Sequence, residues 1–328
     1  MAYCIAPGKR VTEGMMFAAA RTYVEWHNRF REPKIRLEVA SYFRSPVAAL
    51  LELQRRGAEV VLGFTTSDTG LDAASAAERL KIPLIAVSAS TSMLAGKDDW
   101  FFRVQPSTRA DSSAYSRFFR FRNIGTLAVV AASDNAPYVL AFIRDIYVKG
   151  SPRMLGPFLL SEIQRADDAL AALDPDGILV VGPTSFSIWA SQRATKLWPR
   201  AELFLSLWSI TGLGPQEYPL LGKPFLFSTA FSPLAISETH PFIAAWREEY
   251  AADVTFTVDR TFLALELFRL AAEDVRRGNA TSFRESLAMS RHIEGPGGDV
   301  IMDRYGDAHT HPYFFRWDGE RLQRVSVP

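Results

Sequence analysis

One cysteine, Cys4, stands in 328 residues, which excludes an internal disulfide and any zinc cage built on cysteines. An excess of either charge is missing too: 37 Lys and Arg face 36 Asp and Glu, a formal net charge of +1. A protein that tracks a phosphate backbone carries a basic surplus or stripe, so nucleic acid is not an expected partner. No apolar run approaches the roughly 18 residues of a membrane span. The start, "MAYCIAPGKRVTEG", has neither the basic nor the apolar segment of an export signal. The expectation is a periplasmic chain whose signal has been removed, or a cytoplasmic protein if the native chain begins at Met1. Low cysteine suits both compartments.

The signatures of several chemistries are absent as well. The sequence holds no G-x-S-x-G elbow, no G-x-G-x-x-G, no G-x-x-x-x-G-K-[ST] and no H-E-x-x-H. Of the five histidines only His309 and His311, in "DAHTH", share a face if extended, with Asp307 as a third metal ligand. An incidental surface turn is the favoured reading of that triplet, and no cofactor or metal is expected.

What is present is an ordinary folded composition, 48% hydrophobic and 22% charged, at a length suited to two domains. Strand-like runs alternate with amphipathic stretches. "EGMMFAAARTYVEWHNRF" sets Met16, Ala19, Ala20, Tyr23 and Val24 at helical spacing. "SPVAALLELQRRG" offers Ser45 as N-cap, Pro46 at the first helical position and Gly57 as the stop. The grammar returns in "TLAVVAA" then "SDNAPYVLAFIRDIYVKG", in "DGILVVG" then "PTSFSIWASQRATKLWP", and in "AELFLSL" then "WSITGLG". Short, continuous apolar strands followed by helices indicate parallel sheets covered on both faces. "WFFRVQPSTRADSS" shows no period and reads as a crossover. Beyond residue 231, "FSPLAISETHPFIAAWREEYAA" and "VDRTFLALELFRLAAEDVRRGN" read as helices, and the tail closes around a "WDGE" hairpin turn.

Two neighbouring strand ends carry the same chemistry. "VVLG" runs into Thr65, Thr66 and Ser67, and "IPLIAV" into Ser88, Ser90 and Thr91. In an open parallel sheet ligands sit beyond the carboxyl ends of the strands. Hydroxyls beside free helix N–H groups can hold a carboxylate without a counter-charge. The bland alternative is helix capping, common for such residues. No base adjoins these hydroxyls in sequence, so the pattern speaks for binding rather than catalysis. Arg103 is read as half of a structural ion pair and Arg109 as solvated surface.

The order of these parts resembles the type I periplasmic binding proteins, specifically the leucine/isoleucine/valine-binding family of ABC-transporter receptors. The resemblance rests on "GMMFAAARTYVEWHN", on "VVLGFTTSDTGLDAASAAERLKIPLIAVSASTSML", on "FFRVQPSTRADSSAYSRFF" and on "GGDVIMDRYGD…YFFRWDGE", spread over nearly the whole chain. It implies an α/β fold of two doubly wound parallel-sheet lobes joined by three crossover strands, with the ligand cleft between them. Lobe 1 would be 1–104 and 232–309, lobe 2 105–231 and 310–328. Ser67 matches the family serine on the ligand carboxylate; Ser90, through its backbone, and Thr91, through its side chain, match the second loop. Thr66 and Ser88 flank these positions. Tyr138 matches an aromatic that covers the ligand.

The family's first-loop aromatic aligns with Pro7, and its crossover acid falls near Thr108 or Arg109. Asp134 is then the obvious local acid for an amine, and Phe186, Trp189 and Trp208 are further aromatics after strands. The implied function is a non-enzymatic, monomeric solute receptor that closes by hinge motion on a small carboxylate, an amino acid or an aromatic or apolar acid. Its implied partner is the membrane permease of an ABC importer. A ligand-sensing regulatory domain of the same fold is the alternative, and an α/β hydrolase with a histidine beside Ser67 or Thr91 a remote one.

Overall fold

The computed structural model describes residues 2–4, 11–40, 45–148, 152–165, 168–236 and 239–326. The chain divides into two compact units, Met1–Ser107 with Phe231–Thr310, and Thr108–Ala230 with His311–Pro328, so it passes from one to the other three times. The strands in chain order are β1 Ala2–Cys4, β2 Glu38–Ala40, β3 Val61–Gly63, β4 Leu84–Ala86, β5 Phe101–Arg103, β6 Thr126–Ala131, β7 Arg153–Phe158, β8 Gly177–Val181, β9 Glu202–Leu205, β10 Phe225–Thr229, β11 Arg291–Ile293, β12 Val300–Met302, β13 Ala308–His309, β14 Tyr313–Trp317 and β15 Leu322–Val325. The helices are α1 Val11–Phe30, α2 Pro46–Arg55, α3 Ser67–Leu80, α4 Thr108–Phe121, α5 Ala136–Tyr147, α6 Leu160–Arg165, α7 Asp168–Ala171, α8 Thr184–Leu197, α9 Leu207–Ile210, α10 Pro241–Tyr250, α11 Phe256–Arg277 and α12 Phe283–Leu287. None of the described helices is long and apolar enough to cross a membrane.

Unit 1 carries a five-stranded sheet in the order β2-β1-β3-β4-β5, every pair parallel. Unit 2 repeats that order as β7-β6-β8-β9-β10 and extends it antiparallel through β14 and β15. Both are doubly wound, with the order reversing between the first and third strands of each run, where such sheets place their ligands. A separate antiparallel sheet, β11-β12-β13, belongs to unit 1. The central parallel strands β3, β4 and β8 are apolar because helices cover both faces, and every residue of them is buried.

Local signals explain the boundaries. Ser45 accepts a 3.2 Å hydrogen bond from Val47 N–H and opens α2. Gly278, at φ +75°, takes the left-handed turn that ends α11. The Asp318 carboxylate accepts from the N–H groups of Glu320 and Arg321 and closes the hairpin between β14 and β15.

Two expectations are corrected. The stretch read as an aperiodic crossover contains β5 and the start of α4, whose buried face of Asp111, Ala114, Tyr115, Phe118 and Phe119 gains its period only beyond the proline. Residues 231–236 are not helical; α10 begins at Pro241, whose fixed φ and missing N–H suit a first helical position.

Candidate functional site

The carboxyl edge of the unit 1 sheet is built by a tight turn and a close approach. β3 ends at Gly63, and Phe64 then adopts φ +62° with its ring fully buried. A left-handed phenylalanine costs about 1–2 kcal/mol, offset by that burial. The turn lets α3 start at Ser67. One turn on, a Cβ at Gly70 would stand 2.8 Å from the Ala89 Cβ, so only glycine lets α3 pack this tightly on the loop after β4.

That packing joins the two hydroxyl clusters. Thr91 N–H donates to Ser67 Oγ at 3.1 Å, both residues being buried. Ser88 Oγ donates to the Thr65 carbonyl at 3.0 Å. Because Ser67 Oγ accepts in its bond to Thr91, its own proton is directed elsewhere. Thr66 Oγ1 is taken up by its own helix, with Asp68 and with Thr69 Oγ1 at 2.8 Å, and Thr91 Oγ1 accepts from Met93 N–H at 3.3 Å. Ser90 is buried between them.

Behind the loop lies the ion pair expected of Arg103. Its Nε donates to Asp307 Oδ1 at 2.7 Å and its Nη1 to the Thr91 carbonyl at 2.8 Å, while Asp307 Oδ2 accepts from Gly96 N–H at 2.6 Å. The guanidinium is wholly buried, so the position of Thr91 is fixed by a charge that has no access to water. Arg109 is exposed, in line with the surface reading. Asp307 is thereby taken from the histidine triplet: His309 pairs instead with Asp303 at 2.7 Å, and His311 is exposed. That interaction, with backbone N–H groups of Tyr305 and Asp307, outweighs desolvation and holds the Asp303 carboxyl below its ordinary range. Among the described residues no group of three metal-ligating side chains is close enough to hold an ion.

Sequence reasoning missed Glu13. It lies in the first turn of α1, buried, and accepts from Thr65 Oγ1 at 3.4 Å. The available signal was an acid opening the helix that follows β1, the strand beside β3. Pro7, matched to the first-loop aromatic, lies outside the described residues.

At the carboxyl edge of unit 2 the chemistry is aromatic. Tyr138 sits in the first turn of α5, stacks on Phe142 (5.8 Å, 11°) and meets Trp208 edge-on (5.6 Å, 75°). Burial pushes its phenol pKa well up, opposed by Ser206 and the Trp208 backbone, which lie near the hydroxyl without forming a well-aligned hydrogen bond. Trp208 and Phe186 are half-buried, as is Trp189, and the Phe186 ring lies where a Cβ on Gly182 would collide with it. Asp134 is exposed in the turn before α5, outside this cluster. Ser206 Oγ and Ser209 Oγ share a 3.0 Å hydrogen bond, and Ser209 Oγ donates to the Val180 carbonyl.

The histidines are occupied elsewhere. His27 bonds the Pro33 carbonyl, His240 packs edge-on against Phe262 and His292 pairs with Asp299. What the unit 1 edge assembles is a set of N–H and O–H donors at the N-terminus of a 14-residue helix, an arrangement suited to an anion.

No family model matches the sequence, and no curated protein does. Solved structures match over 99% of the chain. A leucine-binding protein from Thermotoga maritima superposes with a TM-score of 0.80 at 15% identity, with 97% of its length covered. An ABC-transporter solute-binding protein from R. palustris, in complex with benzoate, gives a TM-score of 0.80 at 14% identity over 95% of that chain. Another from Rhodopseudomonas palustris BisB5, in complex with 3,4-dihydroxybenzoic acid, gives 0.79 at 18% identity over 97%. The fold is that of the type I periplasmic binding proteins. The resemblance read from the sequence motifs therefore holds at the level of fold.

Proposed function

We infer that this chain is a solute-binding receptor that captures a small carboxylate-bearing ligand, an amino acid or an aromatic or apolar acid, without transforming it. The observation that carries this reading is the 3.1 Å bond between Thr91 N–H and Ser67 Oγ. It draws two hydroxyl-bearing loops into one donor cluster at the edge where doubly wound sheets bind ligands. Ser67, Ser90 and Thr91 hold the carboxylate. Tyr138, Phe186 and Trp208 meet its apolar part, and Asp134 is the acid available to an amine. Solved neighbours that carry benzoate and 3,4-dihydroxybenzoic acid support the aromatic members of this class. Capture proceeds by hinge closure, and the receptor works as a periplasmic monomer that delivers its ligand to the permease of an ABC importer.

The test is calorimetric titration of leucine, benzoate and 4-hydroxybenzoate into wild type and into the Ser67→Ala, Thr91→Val double variant. Wild type binds at least one of these acids, and the variant loses about 100-fold or more in affinity, since hydrogen bonds to a charged group are worth about 1.5–3 kcal/mol each. An unfolding curve for the variant verifies that the fold survives. Equal affinity in the two proteins overturns the site.

A further inference from the structure

The first crossover carries a buried side chain whose polar atoms the fold leaves without hydrogen bonds. Gln105 is 1% exposed, and neither its Oε1 nor its Nε2 has a partner. Buried amides are almost always paired, because leaving a donor or acceptor dry costs the full desolvation of that group. Its position gives the orphaned amide a meaning. β5 runs parallel to β4, Ala86 opposite Arg103, and the ladder continues one residue further as Val104 N–H donates to the Ala86 carbonyl at 3.3 Å. The next residue, Gln105, therefore emerges beside Val87–Thr91, the loop that carries Ser88, Ser90 and Thr91. Two positions earlier, Arg103 sends its guanidinium to the Thr91 carbonyl.

We propose that Gln105 is a specificity residue of the carboxylate site, and that the preferred ligand carries a hydroxyl or an amine beside its carboxylate. The proposal rests on the receptor reading above. Oε1 accepts from the ligand's hydroxyl or amine, and Nε2 donates to its carboxylate. A neutral amide takes both without adding a charge to a site that already holds an anion. A site built to hydrogen-bond a substituent discriminates strongly against the analogue that lacks it, because its own polar atoms are then left dry.

The experiment uses the full chain and matched pairs of acids: benzoate against 2-hydroxybenzoate, and 4-methylpentanoate against leucine and 2-hydroxy-4-methylpentanoate. Wild type is expected to prefer a substituted member by about 10-fold or more. Gln105→Met, similar in length and without the amide, should narrow that preference to about 2-fold, weakening the unsubstituted acid less than the substituted one, which loses the bond to Oε1 as well as the bond from Nε2. Its melting temperature without ligand should not fall, since no protein hydrogen bond is lost. Gln105→Glu sets an anion beside the carboxylate and should weaken the acids that lack an amine by about 10-fold or more.

A preference that survives in Gln105→Met, or unchanged affinities in Gln105→Glu, overturns the role of Gln105 and leaves the receptor standing. A lower melting temperature in Gln105→Met assigns the amide to the fold and also overturns it. Failure of wild type to bind any of these acids overturns the receptor reading, and this proposal with it.

Discussion

At the carboxyl edge of the unit 1 sheet the side chains are Thr65, Ser67, Ser88 and Thr91, short and hydroxylated; at the same edge of unit 2 they are Tyr138, Phe186 and Trp208. The strand orders beneath them are the same. In unit 1 the hydroxyls are locked by bonds across loops, Thr91 to Ser67 and Ser88 to Thr65, and by a buried arginine behind Thr91. In unit 2 the rings touch by stacking and edge contact, Tyr138 on Phe142 and against Trp208. One topology thus carries two side-chain chemistries at corresponding edges. Directional groups for an anion must be fixed to within tenths of an ångström. Aromatic surfaces for an apolar body need only area and shape.

The comparison can be broken where unit 1 is most constrained. Arg103→Met should destabilise the protein by about 3–5 kcal/mol in urea unfolding, because it leaves Asp307 buried without its cation. A loss below about 1 kcal/mol would mean the pair does not hold the Thr91 loop. A smaller effect sharpens the unit 2 side. Tyr138→Phe removes a buried hydroxyl that forms no well-aligned hydrogen bond with its polar neighbours, Ser206 and the Trp208 backbone, so stability should stay within about 1 kcal/mol of wild type. A clear drop in melting temperature would show the hydroxyl engaged.

The smallest effect is one of pH. Burial lowers the pKa of His27 and of His240, both in unit 1. The folded state therefore keeps them neutral, and the unfolded state binds protons first. Their contribution to stability is complete above the unfolded pKa near 6.5 and is lost as pH falls from there through the lowered folded values. Melting curves at about pH 7.5 and about pH 5.5 should separate less in His27→Gln than in wild type. An equal separation would remove His27 from the account. Unit 2 contributes only His311, which is exposed.

Much of the fold was legible because its signals are local. Continuous apolar runs gave β6, β8 and β9, and Ser45 with Pro46 gave the start of α2. α4 was not read, since its hydroxyl-rich first turns hide a period that Tyr115, Phe118 and Phe119 complete later. The two hydroxyl loops were legible as neighbours on adjacent strands. What tied them together was not, because the Gly70–Ala89 approach and the path from Arg103 to Thr91 and Asp307 depend on residues far apart in the chain. Glu13 and Gln105 escaped for a related reason: single polar residues acquire meaning only when burial is known.

The three passages of the chain between units also order its assembly during synthesis. Unit 1 receives its second segment only after the first segment of unit 2 has been made, so each waits on the other. β10 pairs with β14, which comes from the far end of the sequence. Until the ribosome has delivered that strand, Phe225 to Thr229 present an open sheet edge, available to a chaperone or to another nascent chain. β14 then covers that edge and β15 extends the sheet beyond it.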